Sequence, residues 1–565
     1  MPRPVPMMSI KLWLLLVLLA GSLAWLYRST DLAKRPMHTD EAILGKKTIE
    51  VCETGHFKYD PEDFHGPLLH FSTRWLGHWL HWTPGALDEN KLRFVTALYG
   101  MLLLLIPLLL ADALGRGASA VAALLAAVSP MMVFYSRYYI METPFVFFIG
   151  LFIAGLWRWT QSRNWLWLLI AGGALGAAHA AKETFVLNVA AMTAGYFAAK
   201  MFVGSFAQKP AGYSFTRRDK HPVLPWLLIP ISAALVSVAF YSNFFHDWQG
   251  VKDSVLTYER YSHRAGGAGH AKPWDYYLSL LFWHKNVLNT WSEALIGGLA
   301  ILGALSVLVD SSRPAHQRAF QIFLSVYAFA LLGIYCVIPY KTPWVVLGVD
   351  QAFTMLAGVG VSSIFRAMPG ALPKAVLGGL LTVGIYNLCH QTALAIDYQY
   401  QEPRYSDHEL NPYVYSHTTG KIPKLSQLIH GLAAMHPQGK DMPVQVIDAE
   451  QGWPLAWYLR DLHHVGYQET VPEHLRDAAV IIVDSEKAAE VKAAIAPRAA
   501  PVHEEPPDFV GPPEPPPPLD PKYDEEEPVS LRTQASILLN VFVRHDLLER
   551  YRAKHAPVPP KPGHG

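Results

Sequence analysis

Cysteine and charge are what this chain has least of. Its 565 residues hold three cysteines, Cys52, Cys336 and Cys389, at spacings that match neither a metal knuckle nor a redox pair. Charged residues make up 16%, and the net charge is +1. No basic surplus therefore recruits nucleic acid, and no nucleic-acid-binding motif is present. The glycines Gly266, Gly267 and Gly269 read as a flexible turn, because no strand precedes them to build a phosphate loop. What is there instead is apolar: 51% hydrophobic residues, 17 Trp and a positive mean hydropathy, a composition outside the soluble range. The class that remains is a membrane protein.

A spanning helix needs roughly 20 mostly apolar residues. About eleven segments qualify, starting near Ile10, Phe94, Ala118, Thr143, Trp165, Thr184, Val223, Trp291, Phe320, Val345 and Ala375, the last ending near Ala395. The first span carries Arg3 and Lys11 ahead of the run LWLLLVLLAGSLAWLY; the length of that run and the lack of a small-residue cleavage site favour a retained anchor over a signal peptide. With a cytoplasmic N-terminus, the inner loops hold Arg116, Arg158, Arg163, Lys209, Arg217, Arg218, Lys220, Arg313, Arg318, Arg366 and Lys374, as the positive-inside rule requires. The outer segments are then residues 29–93, 136–142, 181–183, 243–290 and 339–344, together with everything after the last span.

The fold expected is an α-helical polytopic membrane domain, 1–395, with a first outer loop 29–93 and a long outer loop 243–290. A small extracytoplasmic α/β domain follows over 396–500, with strands in MPVQVIDAE and AAVIIVD and helices in LAWYLRDL and SEKAAEVKAAI. Residues 501–528 read as an extended Pro- and acid-rich linker, and 529–565 as a strand, a helix and a tail.

Ionisable residues gather on the outer face. HTDEA places Asp40 and Glu41 just after the first span, and YDPEDFHGPLLH interleaves acids with His65 and His70 ahead of an amphipathic run that can lie in the interface. SRYYIMET adds Arg137 and Glu142, AAKET adds Lys182 and Glu183, and PYKTPW adds Lys341. Each alone reads equally well as a solvated loop charge or an interfacial anchor, since charges at helix ends are cheap. As a set they suit a phosphate-linked lipid: Arg137, Lys182 and Lys341 to neutralise phosphate, Asp40 and Glu142 to hold a divalent ion such as Mg or Mn, and Asp40 as base for an acceptor hydroxyl. Tyr258, His270 and Trp274 in the long loop are candidates, with His65, for holding sugar or acceptor, although aromatics also populate the headgroup belt. His263, His270 and His284 lack zinc-ligand spacing.

At HTDEA, HGPLLHF, SRYYIMET, AAKET and PYKTPW the chain resembles the GT-C superfamily of membrane glycosyltransferases. Protein O-mannosyltransferases and lipid A aminoarabinose transferases are similar, as is a branch described as flippase activity-associated, whose likeness extends to WPLAWYLRD and NVFVRHDLLERY. The resemblance implies a polyprenyl-phosphate sugar donor, inverting transfer, and a catalytic acidic pair at Asp40 and Glu41 with Asp40 the base. It places a further acidic residue at Glu142, where many relatives carry aspartate. It does not name the acceptor, which is expected to be a glycan, lipid or protein; the location expected is a bacterial inner membrane, with membrane lipid as a partner. Two other readings stand beside it: a flippase component, kept open by inner polar residues such as His179, Asn188 and Asp350, and a non-catalytic envelope scaffold using the Pro-rich segment. Against transport, the chain shows no internal repeat.

Overall fold

In the computed structural model the described residues are 8–60, 65–203, 224–264, 270–285, 290–397, 411–448, 452–472, 475–496, 522–530 and 538–555. The glycine turn at Gly266, Gly267 and Gly269, the loop cations Lys209, Arg217, Arg218 and Lys220, and residues 501–521 of the expected linker lie outside them. The chain divides into two compact units, one of Met1–Lys34, Leu44–Gln399 and His408–Tyr415, the other of Arg35–Ile43, Tyr400–Asp407 and Ser416–Gly565.

The first unit is helical because a chain in lipid must satisfy its backbone within each segment. Eight of its described helices are long and apolar enough to cross a membrane: Ile10–Ser29, Glu89–Leu109, Glu142–Ser162, Phe185–Val203, Leu224–Tyr241, Ala315–Val337, Pro343–Ala367 and Ala371–Ile396. The pair Arg116–Val128 and Pro130–Ser136, bent by 59°, makes a ninth if counted as one span, and Leu166–Ala181 and Ala294–Val309 are shorter apolar helices. The chain is a multi-pass membrane protein. The difference from eleven full spans is one of length, since the two short helices have 16 residues each, fewer than a bilayer core asks for.

The bent pair shows how irregular backbone is tolerated here. Pro130 has no N–H for the carbonyl of Ala126 and breaks the ladder. Arg28, fully buried at the end of the first helix, donates from Nη2 to Ala126 O at 2.7 Å and from Nη1 to Ala127 O at 2.9 Å. A cation in the bundle is thus held by two carbonyls that would otherwise be orphaned. Close packing rests on glycine: a Cβ at Gly303 would lie 2.1 Å from Leu356 O, and one at Gly360 2.2 Å from Leu299 O. The helices Ala294–Val309 and Pro343–Ala367 therefore touch backbone to backbone. A short antiparallel ladder, β1 (His284–Lys285) with β2 (Thr290–Trp291), precedes them.

The second unit carries a five-stranded sheet of β3 (Val444–Ile447), β4 (Val465–Gln468), β5 (Val480–Asp484), β6 (Tyr523–Ser530) and β7 (Leu538–Arg544), in the order β4-β3-β5-β7-β6. β3 pairs in parallel with β4 and β5, and β7 antiparallel with β5 and β6. The run 480–483 in β5 is apolar throughout because this central strand is covered on both faces: Val480 and Ile482 face one cluster with Ile422, Leu425 and Leu455, while Ile481 and Val483 face another with Val491 and Phe542. Two expectations need correction. The linker drawn over 501–528 overlaps β6, which begins at Tyr523; acids and a proline, which argue against a packed core, are also what an exposed edge strand carries. The outer loop 29–93 does not belong wholly with the membrane helices, because Arg35–Ile43 is part of the second unit.

Candidate functional site

In the second unit, Asp40 and Glu41 occupy the first turn of the helix Thr39–Thr54, where the macrodipole favours carboxylates. Adjacent residues on a helix point about 100° apart, and these two meet different surroundings. Glu41 is fully buried. Both its carboxylate oxygens lie 3.3 Å from Arg35 Nη2, and Oε2 accepts the His38 N–H at 3.1 Å. Asp40 keeps 36% of its side chain exposed, its Oδ2 standing 3.9 Å from His38 Nδ1, which accepts the Asp40 N–H at 3.0 Å. The two carboxylates of the expected catalytic pair thus differ in surroundings: Glu41 is buried against Arg35, and Asp40 is accessible.

In the first unit, Glu142 opens the helix Glu142–Ser162 and Lys182 follows the end of Leu166–Ala181. Each charge suits its helix terminus, and the two side chains, both buried, form a direct ion pair. The next residue, Glu183, accepts the Tyr59 hydroxyl at 3.1 Å and lies 2.9 Å from His65 Nδ1. Gly66 makes this approach possible, since a Cβ there would stand 2.3 Å from Ala180 O. Tyr258, on the helix Gln249–Arg264, joins the same surroundings. Burial first and the Glu183 charge second push the hydroxyls of Tyr59 and Tyr258 above the ordinary tyrosine range, so both stay protonated donors.

The other expected residues sit apart from that cluster. Arg137 donates from Nη1 to Tyr27 O at 2.8 Å and Thr30 O at 2.7 Å, closing the end of the first helix. Lys341 is buried, its ammonium on Ile338 O, and its N–H donates to His270 O at 3.1 Å. His270 Nδ1 meets the Tyr415 hydroxyl. Trp274 is 67% exposed, as a headgroup-belt residue would be. Among the described residues no group of three His, Cys, Asp or Glu is placed to hold a metal ion, and Glu142 is already neutralised by Lys182. The side chains as placed do not fit a divalent ion.

Two polar groups escaped the sequence reading. Glu293, just ahead of Ala294–Val309, and Asp350 are both buried. The Ser129 hydroxyl lies 3.0 Å from Glu293 Oε2 and 2.9 Å from Asp350 Oδ2. One hydroxyl has one proton to give, so contact with both acids requires a proton on one of them. Asp350 was visible as a charge inside a span; nothing in the sequence pairs it with Glu293. The second group is Thr48, His70, Thr73 and Tyr139. Thr48 Oγ1 lies 2.7 Å from His70 Nδ1 and 2.8 Å from the Tyr139 hydroxyl, which is 2.7 Å from Thr73 Oγ1.

Burial, with Lys47 adding to it, drives His70 from 6.5 down to about 3. A folded value below the unfolded one means that, as pH falls below about 6.5, only the unfolded chain takes up the proton. Stability should therefore be level above pH 6.5 and decline below it by about 1.4 kcal/mol per pH unit from this residue. In His70→Phe that share of the slope should vanish. Thermal unfolding in detergent between pH 7.5 and 5 measures it, and identical slopes in both proteins would contradict the buried neutral imidazole.

Residues 71–209 match the family model of dolichyl-phosphate-mannose-protein mannosyltransferases. The chain is similar to ArnT from Cupriavidus metallidurans bound to undecaprenyl phosphate, at 14% identity and a TM-score of 0.55 over 86% of this chain and 95% of that one. The chain has the fold of the GT-C glycosyltransferases. The GT-C likeness extends to ArnT in the apo state (14% identity, TM-score 0.54, 95% and 99% of the two chains). It extends also to the archaeal oligosaccharyltransferase AglB from Archaeoglobus fulgidus in complex with an inhibitory peptide and a dolichol-phosphate (13%, 0.50, 86% and 71%). No curated protein sequence matches the chain. The segment that matches the family model contains Arg137, Glu142, Lys182 and Glu183; Asp40 and Glu41 lie ahead of it.

Proposed function

We propose that this protein transfers a sugar from a polyprenyl-phosphate donor to an acceptor hydroxyl, with inversion at the anomeric carbon, on the extracytoplasmic face of a bacterial inner membrane. The observation that carries the reading is the division of labour at the acidic turn: with Glu41 held by Arg35, Asp40 is left as an accessible, fixed carboxylate. The GT-C fold supports it, since two proteins of that fold are seen with polyprenyl phosphates. The acceptor oxygen attacks the anomeric carbon as its proton passes to Asp40. The bond from carbon to the phosphate oxygen breaks, and polyprenyl phosphate leaves with the electron pair. Arg137, Lys182 and Lys341 are the cations proposed to meet the donor phosphate, which requires each to exchange a carbonyl or carboxylate partner for phosphate oxygen. His65, Tyr258 and His270 are proposed to touch sugar or acceptor.

The test uses purified full-length protein in liposomes with a panel of radiolabelled polyprenyl-phosphate sugars and lipid, glycan and protein acceptors. Label should move to one acceptor class while polyprenyl phosphate is released in equal amount. If every donor stays intact but moves between leaflets, the protein is a flippase and the transfer reading fails. Neither transfer nor movement would leave the scaffold reading in its place.

A further inference from the structure

The segment that carries Asp40 belongs to the same compact unit as the C-terminal sheet domain, and Met37 is one of the residues through which it meets that domain. Met37, fully buried, has both of its backbone polar groups taken by side chains of that domain. Its N–H donates to the Tyr458 hydroxyl at 2.7 Å, and its carbonyl accepts from Thr418 Oγ1 at 2.6 Å. The next ring, His38, meets His417 edge-on with centroids 5.4 Å apart.

These partners are themselves anchored. Tyr458 closes the helix Leu455–Tyr458, and its carbonyl accepts from Ser426 Oγ at 3.2 Å. Ser426 lies on the helix Lys421–Ala433, whose Ile422, Leu425 and Ile429 pack with Val444, Val480 and Val541 of the sheet. A rigid core thus reaches, through two hydroxyls, a peptide three residues ahead of Asp40. The N–H and the C=O of Met37 belong to the two peptide planes on either side of its Cα, so hydroxyls on both hold the orientation of the residue as well as its position.

We propose that the C-terminal domain is a positioning device for the proton-accepting Asp40, with Tyr458 and Thr418 as its positioning residues. The inference rests on Asp40 acting as the base. It gives the soluble domain a role in the transfer step: the domain sets where the carboxylate stands, and a displacement near 1 Å at a reacting group can cost about a hundredfold in rate.

The experiment compares wild type, Tyr458→Phe, Thr418→Val, the double variant, Thr418→Ser and Asp40→Asn as purified full-length proteins. Hydrogen exchange at the Met37 amide should speed up in Tyr458→Phe and in the double variant. The kcat for transfer should fall roughly tenfold in each single variant and about a hundredfold in the double, with the donor KM unchanged. Thr418→Ser, which keeps the hydroxyl, should restore wild-type kcat, which a loss of fold elsewhere would not allow. Unchanged exchange at Met37, or faster exchange with wild-type kcat, overturns the clamp. The Asp40→Asn arm separates the two failures. If Asp40→Asn is active, the base assignment falls and the proposal with it; if it is inactive while the double variant turns over normally, the clamp alone falls.

Discussion

Asp40→Asn should lower sugar transfer by about 10²- to 10⁴-fold, the range that a positioned general base contributes, while leaving the folded protein almost unchanged. The substitution keeps the shape of the side chain and the N–H that His38 Nδ1 accepts. At 36% exposure, the new amide stays in contact with solvent, so stability should move by no more than about 0.5 kcal/mol. What disappears is the acceptor for the hydroxyl proton, because an amide cannot take it up. The loss should appear in kcat, with the donor KM near its wild-type value, since Asp40 is needed in the transition state rather than for holding the donor. Initial rates across a donor series settle the matter, and an Asp40→Asn protein within twofold of wild type ends the assignment.

Glu41→Gln provides the contrast. Its carboxylate is buried and bound to Arg35, so the variant removes a buried negative charge that faces the guanidinium. The expected result is a less stable protein whose remaining folded fraction still turns over. In the sequence, Asp40 already reads as the base of the pair; what the letters DE cannot show is that Glu41 is buried against Arg35.

Much of the membrane architecture is written plainly in the chain, since twenty-residue apolar runs have few alternatives in lipid. Each expected span corresponds to an apolar helix or to the bent pair. The C-terminal strands at Val444–Ile447 and Val480–Asp484 were legible for the same reason, as short apolar runs between turns. β4 and β6 were not: Val465–Gln468 is only half-buried, and β6 carries Asp524, Glu525 and Glu526 on a sheet edge. At the candidate site, the residue types were readable but their pairings were not. Lys182 was assigned to phosphate and Glu142 to a metal ion, yet the two neutralise each other, a contact across 40 residues that no spacing rule reveals. Glu183, beside Lys182 in AAKET, turns out to hold His65 and Tyr59.

That pairing carries the other large expected effect. Glu142→Gln leaves the Lys182 ammonium buried without a counter-ion, and Lys182→Met leaves the Glu142 carboxylate in the same position. Each single variant should lose about 3–5 kcal/mol, read as a lower unfolding temperature in detergent. The double variant Glu142→Gln with Lys182→Met removes both charges together and should regain most of that loss, because desolvating an ion pair offsets much of its attraction. Activity of the double variant then decides what the pair is for. If it transfers sugar at a rate near wild type, the pair is a brace between two helix ends and the donor phosphate is held elsewhere. If it is stable but inactive, one of these charges meets the donor during turnover, and Lys182 is the residue to follow, since a cation released from a carboxylate can neutralise a phosphate oxygen. Single variants as stable as wild type would mean that the pair is not formed in the membrane.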